Sequence, residues 1–307
     1  MWRPPDVRFP DFLIIGGMKC GSTTLYRDLG THPGVFFPID KEPENLADDR
    51  VLTDEGRAEY AEMFAGAQAG QLCAEASTAY TKRPGADGTA QRALELCGPD
   101  LRAIYVVREP VARVGSHHHH KVVEGLLPES LDEALRNHPE LIEYTRYAYQ
   151  VEPWIDTLGT DRVRVVRFED FTKARAETIA SLQTFLGLEP QPELVQADQV
   201  FNKSDGKPVM TDKWQAVRRN PLYDKVIRPL LGQGVKDALR GVLLPKTKAK
   251  RGPPSPELAE RILDAVANDH AKLQSIMGLD TPVWSREASL AKATAKYEEF
   301  KVQGDPA

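Results

Sequence analysis

Phe12-Leu13-Ile14-Ile15-Gly16-Gly17-Met18-Lys19-Cys20-Gly21-Ser22-Thr23-Thr24-Leu25 reads as three elements in a row: an apolar strand, a glycine-rich turn holding one lysine, and the first turn of a helix. Glycines let the backbone turn tightly and aim several N–H groups at one point, and a helix N-terminus adds the positive end of its dipole. Lys19 supplies a cation, and Ser22, Thr23 and Thr24 supply hydroxyls. The stretch is suited to hold an oxyanion such as a phosphate or a sulfate. A plain strand–turn–helix with an incidental lysine fits the same residues when they are read alone.

The stretch resembles a Walker A loop, with one departure. That loop has its lysine directly before Ser/Thr, after four residues bounded by glycines. With Gly16 and Gly21 as the bounding glycines, Ser22 stands at the lysine position and Lys19 lies inside the loop. The departure weakens an ATPase or GTPase reading.

The remainder of the chain sets outer bounds. Its 307 residues suffice for one large α/β domain, with 41% apolar and 28% charged residues, as in ordinary globular proteins. A formal net charge of -5 argues against a dedicated nucleic-acid binder. Cys20, Cys73 and Cys97 are odd in number and lack metal-ligand spacing, which points to reduced thiols and a cytoplasmic protein. No apolar run reaches the ~18 residues of a membrane span, and the N-terminus lacks the apolar core of a signal peptide.

In chain order, the helix from Ser22 stops at Gly30. Val35–Phe37 is a short strand leading into a polar loop, Ile39-Asp40-Lys41-Glu42-Pro43-Glu44-Asn45-Leu46. Residues 55–66 read as helix, Leu72–Ala76 as strand, 87–97 as helix, and Leu101–Val107 as a strong strand running into Arg108-Glu109-Pro110. A helix over 110–127 carries Arg113, Ser116 and His117-His118-His119-His120, and 129–159 reads as helical and aromatic-rich. Val163–Phe168 is a strand, 174–186 a helix, and 209–245 show no clean periodicity. Lys248, Lys250 and Arg251 form a basic loop. Ser255 then caps a long helix with Pro256 at its first position. The alternation predicts an α/β fold: a single three-layer domain over 10–285, with a mostly parallel central sheet flanked by helices, followed by a polar tail over 286–307. Ligands of such folds sit at the carboxyl ends of strands, where Lys19 and Arg108 both fall.

These features, in this order, resemble the sulfotransferases that use 3'-phosphoadenosine 5'-phosphosulfate (PAPS), and within them the carbohydrate and heparan-sulfate type. The resemblance implies that Lys19, Cys20, Gly21, Ser22, Thr23 and Thr24 hold the 5'-phosphosulfate. Arg108 and Ser116, eight residues apart, would hold the 3'-phosphate, with Lys248, Lys250 and Arg251 closing over the nucleotide. It implies Glu42 as the base that deprotonates an acceptor hydroxyl, with Glu44 as the alternative, and Lys19 as the residue that stabilises the leaving phosphate. PAP is the implied product, and no metal is required. The chain departs from the heparan type at Asn45 and Leu46, where relatives often have two aromatics, and at Ala76, where they commonly have a lysine.

Glu75, His117 and Tyr80 are candidate acceptor contacts. The acceptor is expected to be a hydroxylated sugar, lipid or secondary metabolite, with no nucleic-acid partner. A nucleotide kinase or other P-loop phosphotransferase is the alternative enzyme, and a nucleotide-binding module without catalysis the alternative outside enzymes. The histidine run has no carboxylate or cysteine companion at metal spacing, so no metal site is expected there.

Overall fold

Strand β1 (Phe12–Gly16) is buried at every residue, as expected of a central strand covered on both faces of a parallel sheet. The computed structural model describes residues 7–38, 41–195 and 252–302. Around β1 lie β2 (Val35–Phe36), β3 (Leu72–Ala76), β4 (Arg102–Val107) and β5 (Val163–Arg167), in the order β2-β3-β1-β4-β5. Every pairing is parallel. In register, Leu13 faces Glu75 on one side and Ala103 on the other. Ile14 faces Ile104 but Gly16 faces Tyr105, so β1 slips by one residue at Ile15, just where the loop begins.

The topology places the ligand site. The chain leaves β1 toward β2 and leaves β4 toward β5, in opposite directions along the sheet. Right-handed crossovers in opposite directions put their helices on opposite faces and open a crevice between the carboxyl ends of β1 and β4. Helix α1 (Ser22–Leu29) accordingly packs against the later α9 (Arg175–Leu186). Arg175 forks onto the buried Asp28 at 2.7 and 2.6 Å and locks that pair of helices. After α2 (Asp54–Glu62), α3 (Thr89–Cys97) packs against α7 (Tyr147–Leu158), and α7 lies on β4 and β5.

Helix α4 (Pro110–Val123) starts where Glu109 accepts from the N–H groups of Val111 (3.1 Å) and Ala112 (2.8 Å). It is shorter than the expected 110–127, closing at Glu124 before Gly125 takes a positive φ. The stretch read as helical over 129–159 is helical in three pieces, α5 (Leu131–Asn137), α6 (Glu140–Glu143) and α7. The residue before a proline is driven out of helical conformation, which ends α5 ahead of Pro139. Arg146, at φ -79° and ψ 77° outside the helical region, makes the second break at the entrance to α7. The residues after β5 do not continue as a strand end: Phe168–Lys173 form the short helix α8.

The last elements fit their sequence signals. Ser255 accepts from Leu258 N–H at 3.3 Å, and Pro256 opens α10 (Pro256–Ile276). Residues 286–302 form helix α11 (Arg286–Val302), packed on α10. Val111, Val114, Ala259, Ile262, Leu263 and Ala293 make a second small core where α4, α10 and α11 meet. The main core surrounds the sheet.

Candidate active site

The loop between β1 and α1 is tied down from both ends. Gly17 N–H donates to Val106 O on β4 at 2.7 Å, and Cys20 N–H to Gly17 O at 3.1 Å. Gly21, with φ +91°, caps α1 without a side-chain acceptor. The first amides of α1 are thus left at the loop, where an anion can satisfy them. A Cβ at Gly21 would lie 2.7 Å from the Phe168 ring, so only glycine brings the helix end this close to α8. Lys19 has φ +66°. A lysine held in the left-handed region is the kind of local strain that accumulates at functional sites.

Arg108 follows β4 directly and leans on the same loop. Its Nη1 donates to Lys19 O at 3.0 Å, and its guanidinium stacks 4.7 Å from the Phe168 ring centroid. Tyr147 pins its backbone, accepting from Arg108 N–H at 3.3 Å and donating to Arg108 O at 2.8 Å. The same hydroxyl lies 3.8 Å from Cys20 Sγ. Two anion-binding elements predicted from separate stretches therefore meet. Ser116 stands half-buried in the second turn of α4. Beside it, Pro254 lies 3.8 Å from where a Cβ on Gly115 would be. Lys248, Lys250 and Arg251 fall outside the described residues.

The acidic loop lies at the carboxyl end of β3, the strand next to β1. Glu42 N–H donates to Ala76 O at 3.0 Å, and Ser77 N–H donates to Ile14 O at 3.1 Å, which links the loop through β3 to β1. The Glu42 carboxylate is 38% exposed, pairs with Lys41 Nζ at 2.5 Å, and accepts from Thr78 Oγ1 at 3.3 Å. Glu42 and Glu44 share the left-handed conformation, with φ +64° and +59°. Glu44 N–H donates to Ser77 Oγ at 3.2 Å.

The turn after Glu44 has a clamp that sequence reading did not single out. Leu46 N–H donates to Tyr80 Oη at 3.2 Å, and Leu46 O accepts from Arg92 Nε at 2.7 Å. Arg92, on α3, also reaches Ala47 O, Asp87 O, Thr89 Oγ1 and the Asp49 carboxylate. Both backbone groups of Leu46 are thereby fixed, at the place where relatives commonly carry aromatics. Arg92→Gln is expected to lower kcat about tenfold, with a smaller change in donor affinity, because it loosens the acidic loop and leaves the anion cradle intact. Steady-state kinetics paired with donor titration checks this; an equal loss in both would place the effect in the fold at large.

Glu75, Tyr80 and His117 are each 1% exposed. Glu75 Oε2 accepts from Tyr60 Oη at 2.6 Å, and burial pushes its carboxyl above the usual carboxylate range. His117 stacks on Tyr144 with ring centroids 5.9 Å apart. Burial, followed by the charge of Arg113, holds its imidazole down at about 2, so it is neutral. His118 Nε2 lies 2.8 Å from Pro128 O. Among the described residues, no group of three or more His, Cys, Asp or Glu is arranged to hold a metal ion, and no helix is long and apolar enough to cross a membrane.

Besides Arg92, three residues brace this crevice through contacts that sequence reasoning did not assign: Arg113, Tyr147 and Glu169. Glu169 Oε1 accepts from Glu109 N–H at 2.9 Å and its Oε2 from Trp284 Nε1 at 3.1 Å, bracing the start of α4. Arg113 carried a readable signal, being a charge on a helix face with Val114, His117 and His118. Tyr147 is one of several aromatics at helical spacing that could line a cleft or a core, and Glu169 belongs to the run Glu169-Asp170-Phe171 after the last strand.

The model of the sulfotransferase domain family matches residues 9–219. A sulfotransferase from Alicyclobacillus acidocaldarius superposes with a TM-score of 0.61 at 23% identity, over 90% of this chain and 98% of that one. The sulfotransferase domain of the Synechococcus PCC 7002 olefin synthase is more distant, with a TM-score of 0.45 at 17% identity over 87% and 98% of the two chains. No curated protein matches in sequence. The chain belongs to the sulfotransferase family and is an enzyme of the PAPS-dependent kind.

Proposed function

We propose that this enzyme moves a sulfuryl group from PAPS to a hydroxyl of a sugar, lipid or secondary metabolite, with Glu42 as general base and Lys19 stabilising the leaving phosphate. One observation carries most weight. Arg108, one element of a predicted 3'-phosphate site, donates to the carbonyl of Lys19 in the predicted phosphosulfate loop. A donor with anionic groups at its 3' and 5' positions needs two cradles so joined. The uncapped start of α1 and the close approach at Gly21 fit an anion of that size.

When bound, PAPS supplies the sulfuryl group, and PAP remains as product. Lys19, the loop from Cys20 to Gly21, and the Ser22, Thr23 and Thr24 amides and hydroxyls would hold the 5'-phosphosulfate. Arg108 and Ser116 would hold the 3'-phosphate, using remote binding energy to orient the reacting end. Lys248, Lys250 and Arg251 would close over the nucleotide. Glu42 would accept the proton of the acceptor hydroxyl as its oxygen attacks sulfur. Lys19 and the loop amides would meet the negative charge that builds on the phosphate oxygens. Glu75, Tyr80 and His117 would support the acceptor side, with Glu44 flanking the base. The catalytic domain is read over 10–285. The burial of Cys20, Cys73 and Cys97, odd in number and without metal spacing, supports a reducing, cytoplasmic setting.

The test is transfer of label from radiolabelled PAPS, or from ATP in parallel, to a panel of hydroxylated acceptors with and without magnesium. Sulfate transfer that needs no metal is the expected result. Magnesium-dependent phosphate transfer from ATP overturns the reading in favour of a kinase.

A further inference from the structure

Arg113 is 0% exposed, and among the described residues no charged side chain is more deeply buried. Its hydrogen bonds all go to neutral groups: Nε to Met18 O at 3.2 Å, and Nη1 to Leu141 O at 2.9 Å and Thr145 Oγ1 at 3.0 Å. Its Nη2 has no hydrogen-bond partner. The other buried arginines are different. Arg175 forks onto Asp28, and Arg92 reaches Asp49. Desolvating a guanidinium without a counter-ion is costly, so a protein that keeps one has a use for the uncompensated charge.

The place of that charge indicates its use. Met18 immediately precedes Lys19, so Arg113 holds the loop from the side of α4. Its field reaches Cys20 in the loop, Tyr147 behind Arg108, and His117 one turn along α4. None of the three supplies an anion. Burial keeps the Cys20 thiol protonated, pushed up to about 11. Glu169, whose charge also reaches Cys20, is engaged by Glu109 N–H and Trp284 Nε1.

We infer that Arg113 is a positioning residue whose buried counter-charge is the bound anionic donor. It orients the loop through the Met18 carbonyl and adds a permanent positive charge beneath it, and the phosphate and sulfate groups of the ligand supply the partner that the protein omits. This inference rests on the donor reading above, and its consequence is one of binding rather than proton transfer. Ligand affinity and ligand-induced stabilisation should both depend on the charge at residue 113, more than on the shape of its side chain.

The experiment compares wild type, Arg113→Lys and Arg113→Gln by calorimetric titration with adenosine 3',5'-bisphosphate, alongside thermal melts with and without that ligand. Arg113→Gln is expected to weaken binding roughly a hundredfold and to shrink the ligand-induced rise in melting temperature. Arg113→Lys keeps the charge but loses the fork, and is expected to stay within about tenfold of wild type. A merely structural arginine predicts the reverse pattern: both variants melt lower without ligand, yet bind within about threefold of wild type once folded. That result overturns the inference. If Arg113→Gln does not fold, Arg113→Met, neutral and of similar length, takes its place: a hundredfold loss of affinity supports the counter-charge, and binding within about threefold of wild type rejects it. Wild type that binds ATP but not the bisphosphate overturns the donor reading instead, and the same variants titrated with ATP then test the counter-charge on that anion.

Discussion

Glu42→Gln is expected to lower kcat for sulfate transfer by about 10²- to 10⁴-fold, the usual contribution of a positioned general base. The substitution is nearly isosteric, and the amide retains a hydrogen bond to Thr78 and the backbone bond to Ala76 O, so the loop should stay in place. The donor cradle lies on β1 and β4, whereas Glu42 stands at the end of β3. Donor affinity should therefore change little. Glu44→Gln is the matched control. Glu44 shares the left-handed conformation, but its charge bears on the buried Glu75. Its replacement is expected to cost less than about tenfold in kcat. A larger loss in Glu44→Gln than in Glu42→Gln would move the base to Glu44.

The two acids differ in what their surroundings let them do. Glu42 is partly exposed, with Lys41 and Thr78 holding its two oxygens. A carboxylate steadied from both sides while still open to solvent is oriented toward a ligand without being sealed from it. Glu75 is the opposite case, closed among Tyr60, Tyr80 and the β3 backbone with its carboxyl pushed toward the neutral form. A carboxyl enclosed in this way is held by core partners rather than presented to a ligand.

How much of this is legible in the sequence depends on the range of the interaction concerned. The loop from Gly16 to Thr24, the arginine after β4, and the parallel sheet could all be read. Each rests on local residue chemistry: apolar runs, glycines where the backbone turns, a charge at a strand end. The junction of Arg108 with Lys19 O was out of reach because it joins residues 89 positions apart. Tyr147 was hidden for the same reason. It pins Arg108 across 39 positions with one hydroxyl, and a tyrosine on an apolar helix face looks like any core aromatic. The helical character of 129–159 could be read, but not its division at Pro139 and Arg146, where local backbone geometry interrupts the periodicity. Asn45 and Leu46 looked like a defect in the acidic loop. Leu46 is held instead through its backbone groups by Arg92 and Tyr80, an arrangement that side-chain identity at positions 45 and 46 does not reveal.

Lys19 should give the other large effect, and of a different kind. Its carbonyl accepts from Arg108 and its backbone is left-handed. Replacing it by alanine would mix loss of charge with a change in how residue 19 tolerates its φ. Lys19→Gln keeps a long polar side chain in the same backbone conformation and removes only the cation. The expected fall in kcat is about 10²- to 10³-fold, the scale seen when one preorganised donor to a developing charge is lost. Binding of the bisphosphate product should weaken by less than about tenfold, because Arg108, the loop amides and the start of α1 remain. Single-turnover transfer and calorimetric titration of the same protein separate the two. The separation has a physical basis: charge builds on the bridging phosphate oxygen as sulfur departs, so a cation placed there acts more strongly on the transition state than on bound product. Equal losses in transfer and binding would mean that Lys19 serves only to hold the nucleotide. The left-handed backbone at residue 19 would then have to be explained by the hydrogen bond to Arg108 alone.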